Sequence, residues 1–364
     1  MRPVLTTTRP GDEPQRGKRG QRLAVDKEAL AKLRLVAVAY SHVKTAWFPT
    51  REAYQAEVEV EQRARDVVAA IRKMRIKAKA YRADRYFMAK LLVDQPDLVL
   101  NLVDTLRGSD ALQTSIPGAL ELAGVPYTGA GMRGLVIGND RNLVKELLDA
   151  NDIPTPPFQF ITRRGASIRP ELGLPLIVKL NESGGSVGID NAAVKETYEE
   201  AAQQADMLIA TYKMPVVVER FIEGPEITLV VFDDGVRMHV FCAEKVFRDS
   251  ESRKYQFTSF ESYSEQDAYT YTLAAPEVEA LVSAHARRAF ELLRCRDYAK
   301  FDVRIEAATG VPYFTDANPN TAFGPHLGLP MTEVLHLHGV KFSRVLASLL
   351  SKHARRIQAP AHLP

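Results

Sequence analysis

The sequence has few cysteines and no long apolar run. Only Cys242 and Cys295 occur among 364 residues, both inside apolar stretches, so one chain cannot build a disulfide framework or a zinc cluster. No apolar run approaches the roughly 20 residues that a membrane span needs, and no apolar segment follows the N-terminal charges as it would in a signal peptide. We therefore expect a reducing, cytoplasmic setting and no membrane partner.

The sequence also lacks a strong excess of charge of one sign. The formal net charge is +3, and much of the excess lies near the N-terminus, which gives little support for a nucleic-acid partner. Residues 1–30 are rich in Pro, Gly, Arg and Thr without a hydrophobic period, which predicts a flexible basic tail. Binding of RNA or a membrane surface by this tail is the alternative, and it is disfavoured because no aromatic residue interleaves the charges.

What is present is an average globular composition, with 46% hydrophobic and 26% charged residues, and a length that suggests two or three packed units. Apolar runs at 35–40, 77–81 and 98–103 alternate with a helical pattern at 61–74. This alternation predicts an open, parallel α/β domain over residues 31–127. Residues 57–61 alternate with period two, so this segment could start a strand rather than the helix.

The sequence pattern after residue 127 predicts two further α+β units, residues 128–215 and 216–352, followed by a tail at 353–364. An Asp-Gly step at residues 234–235 predicts a hairpin. We predict helices at 140–150, 194–208, 277–293 and 332–350, and strands at 175–180, 216–220, 227–232, 238–247, 298–305 and 313–317.

A lysine that ends an apolar strand opens a loop of small residues. Lys179 is followed by Gly184, Gly185, Ser186, Val187 and Gly188. Such a loop lets backbone N–H groups approach phosphate oxygens, while the lysine supplies a positive charge. A flexible hairpin loop is an equally good reading in isolation. The segment is not a Walker A sequence, because the lysine precedes the glycines.

The next strand, 216–220, ends in a carboxylate. Glu219 lies at its end and Glu226 follows seven residues later, with Arg220, Phe221 and Ile222 between them. A strand end of this kind offers backbone groups and apolar side chains to adenine, and a carboxylate to ribose hydroxyls. Taken alone, the segment reads better as an edge strand with solvated charges.

Three oxygen-bearing side chains lie on two strands near the C-terminus. Asp316 and Asn318 share one face of their strand, and hairpin pairing could bring Asp302 beside them. Carboxylate and amide oxygens suit Mg²⁺ and leave positions for phosphates. The alternative is a set of acids at turn ends that face water.

Taken in order, these segments resemble the ATP-grasp superfamily, most closely its D-alanine–D-alanine ligase branch, over about residues 33–350. The most specific stretch is a run that resembles the family's pattern PYTG…DK…K…(I/V)PTP. It reads Pro126-Tyr127-Thr128-Gly129, Asn139-Asp140-Arg141, Lys145 and Ile153-Pro154-Thr155-Pro156. The resemblance implies an N-terminal Rossmann-like domain, a two-lobed ATP-grasp fold and a carboxylate–amine ligase that forms an acyl phosphate, ADP and phosphate. A small-molecule kinase or a non-catalytic ATP-binding protein is the alternative.

The resemblance also implies roles for individual residues. Lys179 and Lys245 would neutralise phosphates, Lys300 would stabilise an oxyanion, Glu57 would anchor an ammonium group, and Asn320 would contact substrate. The residues from Gly184 to Gly188 would form a lid. ATP contacts are implied for Arg141, Lys179, Glu219, Arg220, Phe221, Ile222, Glu226 and Lys245, and magnesium contacts for Asp302, Asp316 and Asn318. Two ions, Mn²⁺ as a substitute, small-molecule substrates and a homodimer are further expectations.

The chain departs from the family where that family holds its first D-alanine. Gly185 and Val246 stand in place of a serine and a tyrosine, and the residues after Asn318 also differ. The shorter Asp316 replaces a glutamate. We therefore predict intact nucleotide chemistry with a different and larger carboxylate substrate.

Overall fold

The first sheet is parallel, as the sequence predicts. The computed structural model describes residues 22–248, 254–261, 268–326 and 328–358. The sheet has the order β2-β1-β3, with all strands parallel. Its strands are β1 (Leu35–Ser41), β2 (Lys77–Ala83) and β3 (Leu98–Leu102), and the helices of this part are α1 (Lys27–Ala31), α2 (Arg51–Glu57), α3 (Val60–Lys73), α4 (Phe87–Asp94), α5 (Ser115–Leu122) and α6 (Met132–Gly138).

Burial explains this arrangement. All five residues of β3 are buried, as expected for a strand of a sheet covered on both faces. The segment that could have been a strand, residues 57–61, is instead the junction of two helices: α2 ends at Glu57, residues 58–59 form a turn, and α3 begins at Val60. Val60 starts an apolar stripe that continues through Ala64, Val67 and Ile71, and this helical spacing outweighs the short alternation.

Two antiparallel sheets follow, in the orders β4-β7-β5-β6 and β10-β9-β8-β11-β12. The second sheet contains β4 (Phe158–Ile161), β5 (Leu176–Leu180), β6 (Val194–Lys195) and β7 (Val216–Arg220). The third contains β8 (Glu226–Asp233), β9 (Met238–Phe247), β10 (Tyr269–Leu273), β11 (Tyr298–Ile305) and β12 (Pro312–Asn318). The helices of these parts are α7 (Arg141–Asp149), α8 (Tyr198–Tyr212), α9 (Pro276–Leu292), α10 (Pro330–Leu337) and α11 (Phe342–Gln358).

Two predicted helices have the wrong bounds. The helix predicted at 194–208 begins at Tyr198, because Thr197 and Glu200 form a capping box there, while residues 194–195 pair with β5. The single helix predicted at 332–350 is two helices. Gly339, with φ +75°, follows α10 and lets the chain turn before α11.

Both predicted tails are too long. Leu23 is fully buried and the Ala24 N–H donates to Asp234 at 2.9 Å, so residues 22–30 belong to the fold, and the rest of the predicted basic tail lies outside the described residues. At the other end α11 continues to residue 358. His353 is buried and its Nε2 lies 2.7 Å from Asp297. The division into units at 31–127, 128–215 and 216–352 stays a prediction.

The N-terminal part contacts the second sheet through α2. Ala53 and Ala56 pack against the core of that sheet, which contains Leu180 and Val187. This contact closes one wall of a cavity that reaches from α2 to the third sheet. In the part of the chain that the structure describes, no helix is both long and apolar enough to cross a membrane.

Candidate active site

A cavity of about 250 Å³ lies where the three sheets meet. We call one region of it the lysine end, defined by Lys179 and Lys245, and another the acid end, defined by Glu57, Asp104 and Asp110. The predicted residues that line the cavity are Glu57, Arg141, Lys179, Gly184, Gly185, Ser186, Glu219, Arg220, Phe221, Ile222, Glu226, Lys245, Lys300, Asp302, Asp316, Asn318 and Asn320. Val187 and Gly188 do not line it. Val187 packs into the core instead, and the Gly188 N–H donates to Glu52 at 2.8 Å.

At the lysine end, one buried carboxylate holds two lysines. Glu219 Oε1 lies 2.6 Å from Lys179 Nζ on the neighbouring strand, and Glu219 Oε2 pairs with Lys145 of α7. Burial opposes ionisation of Glu219, but the two ammonium charges outweigh it and lower the pKa of the carboxyl group. Glu219 therefore fixes the position of Lys179, a role that the sequence did not predict for it.

On the third sheet, a second buried carboxylate also pairs with two cations. Glu226 faces Lys245 on one neighbouring strand and Arg304 on the other, with N···O distances of 2.7 and 3.0 Å. Despite burial, these cations lower the pKa of Glu226 to about 2, and the pKa of Lys245 is raised in spite of its own burial. Lys245 is thus held charged at the cavity wall.

An apolar surface adjoins these ion pairs where β7 ends. The ring of Phe221 meets Tyr255 and Phe257 edge to face, with centroids 5.3 and 5.8 Å apart. The carbonyl oxygen of Ile222 accepts from Arg304 Nε at 2.6 Å. Arg220 pairs with Glu306 at 3.0 Å. Phe221 and Phe257 are buried, and apolar side chains of this kind suit a planar aromatic ring.

The three candidate metal ligands come together as predicted. Asp302 and Asp316 are directly opposite each other on β11 and β12, and Asn318 is opposite Lys300. Lys300 Nζ pairs with Asp302, and Arg141 donates to Asp316 at 3.2 Å. Burial opposes ionisation of Asp316, but Arg141, Lys179 and Lys300 lower its pKa.

This set fits a magnesium ion. The Nδ2 atom of Asn318 is buried and has no hydrogen-bond partner among the described residues, so the side-chain amide is free to present its oxygen. Two carboxylates and one amide form an oxygen donor set that leaves coordination positions for phosphate oxygens. In the described part of the chain, no group of three His, Cys, Asp or Glu side chains could hold a metal, so the amide is needed.

At the acid end, three carboxyl groups approach one another. Glu57 accepts weakly from the Thr105 hydroxyl at 3.4 Å, Asp104 pairs with Arg63 at 3.1 Å, and the Gly184 N–H donates to Asp110 at 2.8 Å. Burial and the neighbouring acids raise the pKa of Glu57 well above its usual range. Burial is also the main cause that raises the pKa of Asp110 to about 7.

The structure bears on two substrate expectations. Asn320 lines the cavity, but its Oδ1 already accepts from Tyr298 at 3.2 Å. Val246 lies outside the cavity and is 42% exposed, because strand alternation turns it away from the face that carries Lys245. Val246 instead lines a neighbouring cavity with Phe221, Glu226 and Lys245, so the expectation that it enlarges the substrate pocket stays a prediction.

Several residues of the site were not assigned a role from the sequence. Arg304 could have been found, because Lys300, Asp302 and Arg304 alternate on one face of β11. Lys145 belongs to the quoted motif but reveals its role only through its contact with Glu219. Arg63 and Asp110 have no sequence signal of this kind, since they come from separate elements.

The two antiparallel sheets, with charged cavity-facing side chains on adjoining strands, define an ATP-grasp fold. A family model described as "D-ala D-ala ligase C-terminus" matches residues 147–351, which is more than half of the chain. The chain therefore belongs to the D-alanine–D-alanine ligase family, and it is an ATP-dependent carboxylate–amine ligase. Dependence on Mg²⁺ is general in this family.

Individual relatives agree with this assignment. The D-alanine–D-alanine ligase of Polaromonas sp. (strain JS666 / ATCC BAA-500) is 28% identical over 74% of this chain and 78% of its own length. That of Polaromonas naphthalenivorans (strain CJ2) is 31% identical over 62% and 70%. The crystal structure of the Bacillus anthracis ligase with ATP has a TM-score of 0.67 at 19% identity and covers 89% of this chain and 99% of its own. The VanG D-Ala:D-Ser ligase of Enterococcus faecalis gives 0.63 at 16%, covering 88% and 100%.

Proposed function

We propose that the lysine end binds the phosphates of ATP and that the acid end binds the carboxylate substrate through its cationic part. One observation carries this proposal: Lys179 and Lys245 are held by buried carboxylates in one continuous cavity that Asp302, Asp316 and Glu57 also line. In this arrangement the adenine ring lies against Phe221. Asp302, Asp316 and Asn318 hold Mg²⁺, which when bound neutralises charge that develops on the phosphates.

The reaction then proceeds through an acyl phosphate. A carboxylate oxygen attacks the γ-phosphorus, the bond to ADP breaks, and the amine displaces phosphate to form the amide. Lys179 and Lys245 hold the phosphates for the first step. Lys300 lies where an oxyanion develops in the second step and stabilises it as a point charge. The loop at Gly184 covers the site and excludes water, which would hydrolyse the acyl phosphate.

The products test this route. Incubation with ATP, Mg²⁺ and a panel of carboxylate–amine pairs should release ADP and phosphate only when a productive pair is present. Stoichiometric AMP and pyrophosphate would refute the acyl-phosphate route. Release of ADP with a phosphorylated carboxylate but no amide would favour the small-molecule kinase, and tight ATP binding without turnover of any pair would favour the non-catalytic alternative.

We further propose that D-alanine is not the preferred substrate. Gly185 removes a hydroxyl group that the family uses for the first D-alanine, and an unmatched contact to a charged group costs about 1–3 kcal/mol, or about ten- to hundredfold in affinity. D-alanine supplied alone with ATP and Mg²⁺ should therefore form dipeptide more slowly than the best pair of the panel. A D-alanyl-D-alanine rate above that of every other pair would contradict the proposal.

Three expectations extend this proposal. Two metal ions are proposed to serve the site, with Mn²⁺ able to replace Mg²⁺, and a titration of ADP release against each metal tests both points. A homodimer is proposed for solution, which sedimentation can test. The expected absence of a nucleic-acid partner and the expected cytoplasmic setting remain predictions.

A further inference from the structure

Two carboxyl groups at the acid end have no ion-pair partner among the described residues. Asp104 forms an ion pair with Arg63, so these two charges cancel. Glu57 and Asp110 line the same cavity and, among the described residues, neither forms an ion pair. Their hydrogen-bond partners are a hydroxyl group and a backbone N–H. Two carboxylates that are removed from water without a cation are costly, and a bound cation would offset this cost.

An inorganic cation does not fit these acids. No three His, Cys, Asp or Glu side chains of the described chain are close enough together to hold a metal ion. Glu57 comes from α2, whereas Asp104 and Asp110 come from the segment after β3. Carboxyl groups from separate elements can each bind a different positive group of one ligand.

The loop gives a second reason. Gly185 lies directly against α2, and a Cβ placed on it would come within 3.2 Å of Ala56. Its φ of +63° also disfavours any side chain. Gly185 therefore offers no hydroxyl group at this position, whereas the carboxyl groups of Glu57 and Asp110 line the cavity beside the loop.

We propose that the acid end selects a carboxylic acid that carries two cationic groups, a diamino acid, with Glu57 holding one ammonium group and Asp110 the other. This inference rests on the proposed function, because the substrate's carboxylate must reach the lysine end of the same cavity. The Arg63–Asp104 pair forms a neutral part of the wall. Asp110 also binds the loop at Gly184, so a substrate held by Asp110 lies under the lid.

Matched ligands test the charge requirement by calorimetry without ATP. Lysine and norleucine have side chains of similar length, and they differ in the terminal ammonium group. Each enantiomer of both is titrated into the full-length protein. A hydrogen bond to a charged group contributes about 1.5–3 kcal/mol. One enantiomer of lysine should therefore bind at least about tenfold more tightly than the same enantiomer of norleucine. Equal affinities would overturn the proposal, and so would competition between Mg²⁺ alone and lysine for this site.

Variants assign the two anchors. Asp110→Asn removes the charge but keeps an oxygen that can accept from the Gly184 N–H. It should remove most of the lysine preference while changing norleucine affinity by less than about twofold. Glu57→Gln should weaken both ligands. Glu28→Gln, an exposed acid of α1, carries the same charge change and should alter neither affinity. Equal weakening of both ligands by Asp110→Asn would mean that Asp110 acts on the loop rather than on the substrate, and would refute the assignment.

The two proposals can fail separately. ADP release with neutral carboxylates and none with diamino acids would contradict this inference and leave the ligase function intact. Preferential lysine binding without ADP release for any pair would contradict the ligase function and leave the charge selection intact.

Discussion

The two ends of the cavity treat buried charge in opposite ways. At the lysine end, each carboxylate is matched by two cations, as Glu219 is by Lys145 and Lys179, and its pKa is lowered. At the acid end, Glu57 and Asp110 lack such partners in the described chain, and burial raises their pKa values. The ion pairs of the lysine end thus contain more cations than carboxylates, whereas the two acids at the other end are proposed to find their cation in the substrate.

This contrast fits the roles that we propose for the two ends. Phosphates and magnesium are the same in every turnover, so a preorganised set of charges serves them without reorganisation during the reaction. Substrate selection requires a penalty for the wrong ligand. Carboxylates that remain without a counter-charge unless the correct cation binds impose such a penalty.

Removing a metal ligand should have the largest effect. Asp316→Ala or Asn318→Ala should lower ADP release by about three orders of magnitude or more, because charge on the transferring phosphoryl group is then no longer neutralised. The initial rate is measured at saturating Mg²⁺, and circular dichroism checks the fold. Asp149→Ala, an exposed acid at the end of α7, is the matched control. Near-normal activity of either ligand variant would show that the metal assignment is wrong.

Lys145→Met tests whether the lysine end is a fixed network. The substitution leaves the fully buried Glu219 with one cation instead of two, so the free energy of unfolding should fall by about 3 kcal/mol. Urea denaturation measures this change. Lys79→Met, which removes an exposed pair with Asp94, should change stability little. A loss no larger than that of Lys79→Met would contradict the network.

At the acid end, we expect Asp110→Asn to raise the stability of the protein with increasing pH, whereas Lys145→Met lowers stability at the lysine end. Its carboxyl group keeps a proton up to about pH 7 in the folded state, above its ordinary value of 3.8. The unfolded state therefore ionises first, and stability of the native protein falls between these two pH values. Relative to the native protein, the variant should gain stability as pH rises through this window and level off above it. Urea denaturation at several pH values measures the difference, with Glu28→Gln as control. A pH-independent difference would contradict the burial of this charge.

Gly185→Ala should have the smallest effect and tests the contact between the loop and α2. The substituted residue must keep a positive φ, and its methyl group would contact Ala56. We expect these two effects to cost about 1–2 kcal/mol. Gly165→Ala provides the control, because Gly165 has φ +76° and an added Cβ would meet nothing within 4 Å. Thermal unfolding should show a slightly larger loss for Gly185→Ala. If the two losses are equal, the loop does not pack tightly on α2.

The sequence predicted the strands that carry the site better than it predicted the partners of their side chains. Alternation on the last two strands placed Asp302, Asp316 and Asn318 together, and their register confirms it. The same alternation turns Val246 away from the cavity, although a position-by-position resemblance had assigned it to the substrate. Alternation is a local property of the backbone and survives in the sequence.

The sequence alone determined the family and the positions of most strands, and it predicted most of the residues that line the cavity, because strand period, glycine-rich loops and ordered motifs are local features of the chain. Only the tertiary structure decided which charges are neutralised. Glu219 lies between lysines from α7 and β5, whereas Asp110 meets a backbone N–H and no cation within ion-pair distance among the described residues. The pKa of a buried group depends on neighbours brought from distant segments, and their distances are set only when the elements pack.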